Sequence, residues 1–264
     1  MSLKVGPTST MRTITEILAL NWLTSPALPI GAFAWSQGLE SAITTGAVTN
    51  KQDLTEYLEV QLHYGLATFD LPLLKRLKAA AAQASKDATA QASKGQESEL
   101  NPNQVPELNP TPAPELQASS ARVLELDAWV KAGRGTRELL AEEEHLGRAL
   151  MRLMRSTALC PDWAMPLDLG YVAAFAIAVR DLDQDAVLAS FALAWLQNLV
   201  TVACKALPLG QTQGQQVLLA LMPQLEGATH KAVTLRDDEI GSVLPGLMEL
   251  SSRHERQYTR LFRS

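Results

Sequence analysis

Cysteine is scarce: Cys160 and Cys204 are the two in 264 residues. Two thiols do not make a disulfide framework, so a reducing, cytoplasmic setting is expected. Positive charge is also short, with 23 Lys and Arg against 28 Asp and Glu and a net charge of -5. That balance lacks the basic footprint of a nucleic-acid binder. Aromatics make up 5%, so any core must be largely aliphatic. The most apolar run, Gly170 to Val179, is half of the roughly 20 residues that span a bilayer. It reads as a buried core helix, and no membrane partner is expected. The first residues, "MSLKVGPTSTMRTITEILAL", lack the apolar core and cleavage pattern of a secretory signal.

Catalytic and metal signatures are missing too. No G-x-x-x-x-G-K-[ST] occurs, and Gly210 and Gly214 in "PLGQTQGQ" lack the Lys-Ser/Thr that would follow. Ser36 has no nucleophile elbow around it. His63, His145, His230 and His254 are scattered, and neither cysteine sits in a C-x-x-C pair. The row Glu142-Glu143-Glu144-His145 reads as a solvated helix face. The chain is therefore not itself a P-loop NTPase, and a transient metal ligand stays open, since a carrier need not show a closed tetrahedral motif.

What is present is helix-forming. Leu and Ala dominate a hydrophobic share of 47%, and both favour helix over strand. Leu54, Tyr57, Leu58, Leu62 and Leu66 recur at helical spacing after a cap at Thr49 or Asn50. Pro72 is tolerable only in a first turn. Leu139, Leu140, Leu146, Leu150, Leu153 and Met154 form another stripe, with acids early and arginines late, as the helix dipole favours. Two apolar helices follow, in "LDLGYVAAFAIAVRDLD" and "QDAVLASFALAWLQNLVTVACKAL". The expectation is an all-α, single helical domain. Residues 1–81 and 121–264 form its two parts, and 82–120, poor in large apolar residues, reads as a flexible low-complexity insertion.

Two stretches ask for more. "SPALPIGAFAWSQGLE" places Phe33 and Trp35 on a Pro/Gly turn beside Ser36 and Gln37, a typical site for interface anchors as well as for core packing. At the other end, "SSRHERQYTRLFRS", continued as helix, puts Arg253, Arg256, Arg260 and Arg263 in one basic stripe with Tyr258, Leu261 and Phe262 among them. An amphipathic end of this kind suits capture by a partner groove; the alternative is a last helix docked on its own core.

These segments, with "FDLPLL", "GTRELLAEE" and "AWLQNLVTVACKALPLGQTQGQ" in the same order, resemble the UreF family of urease accessory proteins nearly end to end; 82–120 departs from its pattern. The resemblance implies an all-α, cytoplasmic homodimer that is no enzyme, with no catalytic residue, no metal site and no stably bound cofactor. It implies binding to a UreD (UreH) partner, recruitment of the GTPase UreG and docking on apo-urease, with nickel handled by the complex. It further implies three partner-binding segments. These are the opening stretch (Phe33, Trp35, Ser36, Gln37, Glu40), the loop with Lys205, Pro208, Gly210, Gln211 and Thr212, and the tail (Arg253, Glu255, Tyr258, Arg260, Leu261, Phe262, Arg263). Three competing readings remain at this level. One is a helical hydrolase using Ser36 or the Glu142–His145 cluster. Another is a strict GTPase-activating protein using Arg134, Arg137 or a tail arginine. The third is a direct nickel chaperone using His254 or Cys204.

Overall fold

The computed structural model describes residues 13–99, 114–241 and 244–263, without the side chains of 94–99 and 114–117. It is all-α, and no strand occurs among the described residues. The helices are α1 (Ile14–Leu23), α2 (Leu39–Thr44), α3 (Lys51–Gln61), α4 (Leu71–Glu99), α5 (Pro114–Ala132), α6 (Arg137–Ser156), α7 (Tyr171–Ala178), α8 (Gln184–Ala206), α9 (Gln211–Thr234) and α10 (Pro245–His254).

Local signals explain the helix starts. Asn50 caps α3, its side-chain oxygen accepting the backbone N–H groups of Gln52 and Asp53. Thr13 and Glu16 close a capping box on α1. Thr136 caps α6 and Asp183 caps α8.

Between α3 and α4 the helix widens into a π-helical segment, Leu62–Asp70. Pro72 accounts for its position. A proline ring collides with the carbonyl four residues back and leaves it without an N–H partner. Here that carbonyl belongs to Thr68, and it accepts the Gly241 N–H at 3.1 Å. So the helix crosses Pro72 by widening before it, and a distant loop satisfies the freed oxygen.

The 82–120 reading needs correction at both ends. α4 runs on to Glu99 and α5 starts at Pro114; residues 100–113 lie outside the described residues. Ala84 is fully buried and Ala88 packs on the core. Trp163 Nε1 donates to Ser85 Oγ at 3.0 Å, and Ser119 hydrogen-bonds Asp87. Alanine is small enough to let α5 approach closely, and it is the best helix former. Counting only large apolar side chains therefore underestimates this segment.

The core centres on α7 and α8. α7 is the apolar run singled out in the sequence, and Val172 to Ile177 are buried. α8 is long and apolar enough to cross a membrane, yet over half of its apolar window is buried inside the protein, where it packs on α9, α4 and α2. Phe175, Phe191 and Tyr171 form one ring cluster with centroids 5.1–6.1 Å apart.

The start of α7 presses against α6 at Gly147. A Cβ there would come within 2.2 Å of the Leu169 carbonyl oxygen and 2.7 Å of Gly170 Cα, both backbone atoms. Gly147→Ala is therefore expected to destabilise by about 1–3 kcal/mol despite better helix propensity. Chemical denaturation measures it; a stabilised variant would show that the two helices separate freely.

Candidate functional site

The opening stretch is a turn made by consecutive left-handed residues. Gln37 and Gly38 have φ of 49° and 78°, a conformation glycine adopts readily and other residues rarely do. Gly38 also lies against Leu247 and Leu250 of α10. The turn buries Trp35 and Ser36, leaves Phe33 half-buried, and aims Glu40 inward from the first turn of α2. The Trp35 ring lies 5.9 Å from the His145 ring.

Glu40 is 4% exposed; it accepts three N–H groups and lies against one ring nitrogen of His254. Leu261 N (2.7 Å) and Gln257 Nε2 (3.3 Å) reach Oε1, and Phe262 N (3.0 Å) and His254 Nε2 (3.0 Å) reach Oε2. His254 is fully buried, and its Nδ1 lies 2.9 Å from Glu138 Oε2. The other Glu138 oxygen takes Arg260 Nη1 at 3.0 Å. Burial raises the Glu138 carboxyl above its ordinary range, against the opposing charges of His254 and Arg260.

This bridge decides the shape of the tail. α10 stops at His254, and residues 255–263 follow as turns, so the expected arginine stripe on one helix does not form. The physical reason is Glu40: its carboxylate claims the Leu261 and Phe262 amides. Phe262 is buried against the body, and the Arg263 N–H donates to the Ala34 carbonyl at 2.7 Å. Tyr258 is fully exposed and Leu261 is 68% exposed.

The third segment meets the other two. Lys205 lies in the last turn of α8, Gly210 is the N-cap of α9, and Gln211 and Thr212 open α9; these and Pro208 are exposed. A groove is lined by Phe33, Ala34, Lys205, Leu261, Phe262 and Arg263. Segments more than 170 residues apart in sequence thus share one face. Arg263, Arg148 and Arg152 add positive charge around His145, whose pKa is lowered by burial first and by those arginines next. Arg253 pairs outside this face with Glu249 at 2.6 Å, and Glu255 is half-buried where the tail leaves α10.

A cavity of about 140 Å³, which shares Phe33 with the groove, has a wall that includes Gln37, Asp70, Arg134, Glu142, Glu143 and Asn198. The solvated-face reading of Glu142–His145 is wrong for its first two members, which are 6% and 3% exposed. Arg134, just before α6, pairs with Asp70 at 2.7 Å and Glu143 at 2.6 Å. Burial alone would lower its pKa, but the Asp70 and Glu143 charges outweigh burial and raise it. Glu143 Oε1 also accepts the Val172 N–H at 2.9 Å in the first turn of α7. Gln37 bridges Trp195 Nε1 (2.8 Å) to Glu142 Oε1 (2.9 Å). Burial pushes the Glu142 carboxyl up to about 7. Sequence reasoning missed this network because its members look like surface charges one at a time.

The alternative roles fare differently. Ser36 is buried, and Arg134 is held in two ion pairs. His254 has both ring nitrogens engaged, and Cys204 lies under Gly214, where a Cβ would sit 2.5 Å from its sulfur. Arg137 is exposed. Among the described residues, no three His, Cys, Asp or Glu side chains group so as to hold a metal ion.

The sequence matches the UreF family model over residues 48–222. It is 43% identical over 251 residues to a protein of Chromohalobacter salexigens named urease accessory protein UreF, covering 94% of each chain. A Marinobacter nauticus protein of the same name is 41% identical over 94% of each chain. One from Alkalilimnicola ehrlichii is 34% identical over the full length of both. With the family model matched over most of the chain and the relatives over nearly all of it, this protein belongs to the UreF family of urease accessory proteins.

Proposed function

We propose that the chain is a non-enzymatic, cytoplasmic scaffold that joins a UreD (UreH) partner to the GTPase UreG and docks both on apo-urease for GTP-dependent nickel insertion. Nickel is the cargo of that complex. The observation that carries the reading is the shared groove of Phe33, Ala34, Lys205, Leu261, Phe262 and Arg263. One or more residues of each segment assigned to partners by resemblance line it, Lys205 alone from the loop, so one bound protein can alter the surface presented to another. Leu261 and Tyr258 stand exposed on the tail, ready to be covered. Fully burying one such side chain stabilises a complex by roughly 1.5–3 kcal/mol, and ordering shared by two partners couples their binding.

Self-association belongs to the same reading. Ile14, Leu18 and Trp22 are exposed at i, i+4 and i+8 on α1. A helix apolar on its outer as well as its inner side calls for a partner surface.

Coexpression with UreD and UreG from the same host, followed by size-exclusion chromatography with light scattering, tests this. A complex with two copies of each protein is expected. Deleting residues 258–264 is expected to abolish UreD binding while circular dichroism stays native. Unchanged UreD affinity after deletion would overturn the role given to the tail; a chain that elutes alone beside folded UreD and UreG would overturn the scaffold.

A further inference from the structure

The C-terminal strap is fastened by a proton count as well as by shape. Both ring nitrogens of buried His254 face carboxylate oxygens, Glu40 on one side at 3.0 Å and Glu138 on the other at 2.9 Å. A neutral imidazole has one N–H, so it can donate to only one of them. Closing both contacts requires one more proton, carried on the ring or on the Glu138 carboxyl. Glu40 is the poorer carrier, because its three other contacts are N–H groups, two of them the strap's own backbone at Leu261 and Phe262.

The charged groups facing the bridge come from every element around it. They are Glu40 of α2, Glu138 of α6, and Glu255 and Arg260 of the strap itself. With the extra proton, the two carboxylates are balanced by His254 and Arg260. Without it, two carboxylates and one ring lone pair face each other with one cation between them. Losing a proton therefore opens one side of the bridge, between the two carboxylates that hold the strap, Glu40 through the Leu261 and Phe262 amides and Glu138 through Arg260.

We propose that the Glu40–His254–Glu138 bridge is a proton-dependent latch that keeps the C-terminal strap on the body and loosens it as pH rises. This deepens the proposed function, since it rests on the strap being the partner-binding segment and supplies its regulation. The sign agrees with Glu138: a carboxyl raised by burial favours the proton in the closed form, so closure weakens as pH rises.

Hydrogen exchange on the full chain alone, without partners, reads the latch separately from the scaffold role. Protection of the Leu261 and Phe262 amides would be compared at about pH 6 and about pH 9, after correction for intrinsic exchange. The Gly241 amide, bonded to Thr68, is the internal reference. Once the latch opens, protection of the strap amides should fall by up to about tenfold per pH unit, as a one-proton linkage requires, while Gly241 holds. Glu138→Gln is the discriminating variant. Its amide can donate to a neutral ring while its oxygen still accepts from Arg260, so the strap is expected to stay protected at the higher pH. His254→Gln is expected to show no pH dependence, with circular dichroism reporting whether it folds. Equal wild-type protection at both pH values, or a wild-type pH response in Glu138→Gln, would overturn the latch.

Discussion

Replacing Arg134 with methionine is expected to cost about 3–5 kcal/mol of folding stability at neutral pH. Methionine keeps much of the stem and loses the guanidinium that lies 5.9 Å over the Phe69 ring, so lost packing is the smaller part. The larger part is two carboxylates left without a cation. Asp70 is 16% exposed and Glu143 is 3% exposed, and water reaches neither well enough to replace the guanidinium. Glu143 also holds the first turn of α7 through the Val172 N–H, so the strain is passed to the central helix. Urea denaturation should show a lower midpoint with an unchanged slope. The deficit should shrink as pH falls, because the orphaned Glu143 carboxyl can then take up a proton. For Glu143 the sign is already visible: burial raises its pKa even with Arg134 beside it, and removing the cation raises it further. A loss below about 1 kcal/mol, the size of an exposed pair, would mean that the network is solvated and its buried status wrong.

The helices were legible because their signals are local. The α3 stripe, the Asn50 cap and the α6 dipole pattern each need only a window of one or two turns. The Pro72 constraint was legible as well, but not its resolution, since the π-helical segment depends on Gly241 reaching Thr68 across the fold. The tail failed for the same reason. Continued helix was the local preference for residues 255–263, and a carboxylate more than 210 residues earlier overrode it. Glu142 and Glu143 show the limit for charged residues. Local pattern marks them as polar, yet Arg134 and Gln37, placed by separate turns, make their burial tolerable. The alanine-rich end of α4 misled in the opposite direction, because small side chains bury well only when a second helix comes close. Family motifs nevertheless pointed to segments that share a groove, although nothing in their spacing requires it.

Replacing Glu142 with glutamine is expected to stabilise the protein at alkaline pH by up to about 3 kcal/mol and to leave it little changed near pH 5. Glu142 makes its hydrogen bond to the neutral Gln37 amide, while Arg134 acts on it only through space. Burial dominates, and the carboxyl is pushed up to about 7 from an ordinary 4.5. The folded state thus binds this proton more tightly than the unfolded chain does. Its contribution is fully present below the unfolded value and is lost as pH rises through about 7. Wild-type stability, measured by urea titration from about pH 5 to about pH 9, should therefore slope downward across neutrality. The variant removes the ionisation, and its amide can still pair with Gln37, so its profile should be flatter. This response is global, whereas the strap responds through two amides. A Glu142→Gln profile flatter than wild type, with strap exchange still dependent on pH, would separate the two protons. Parallel profiles for the two proteins would place the ionisation elsewhere and refute the buried proton at Glu142.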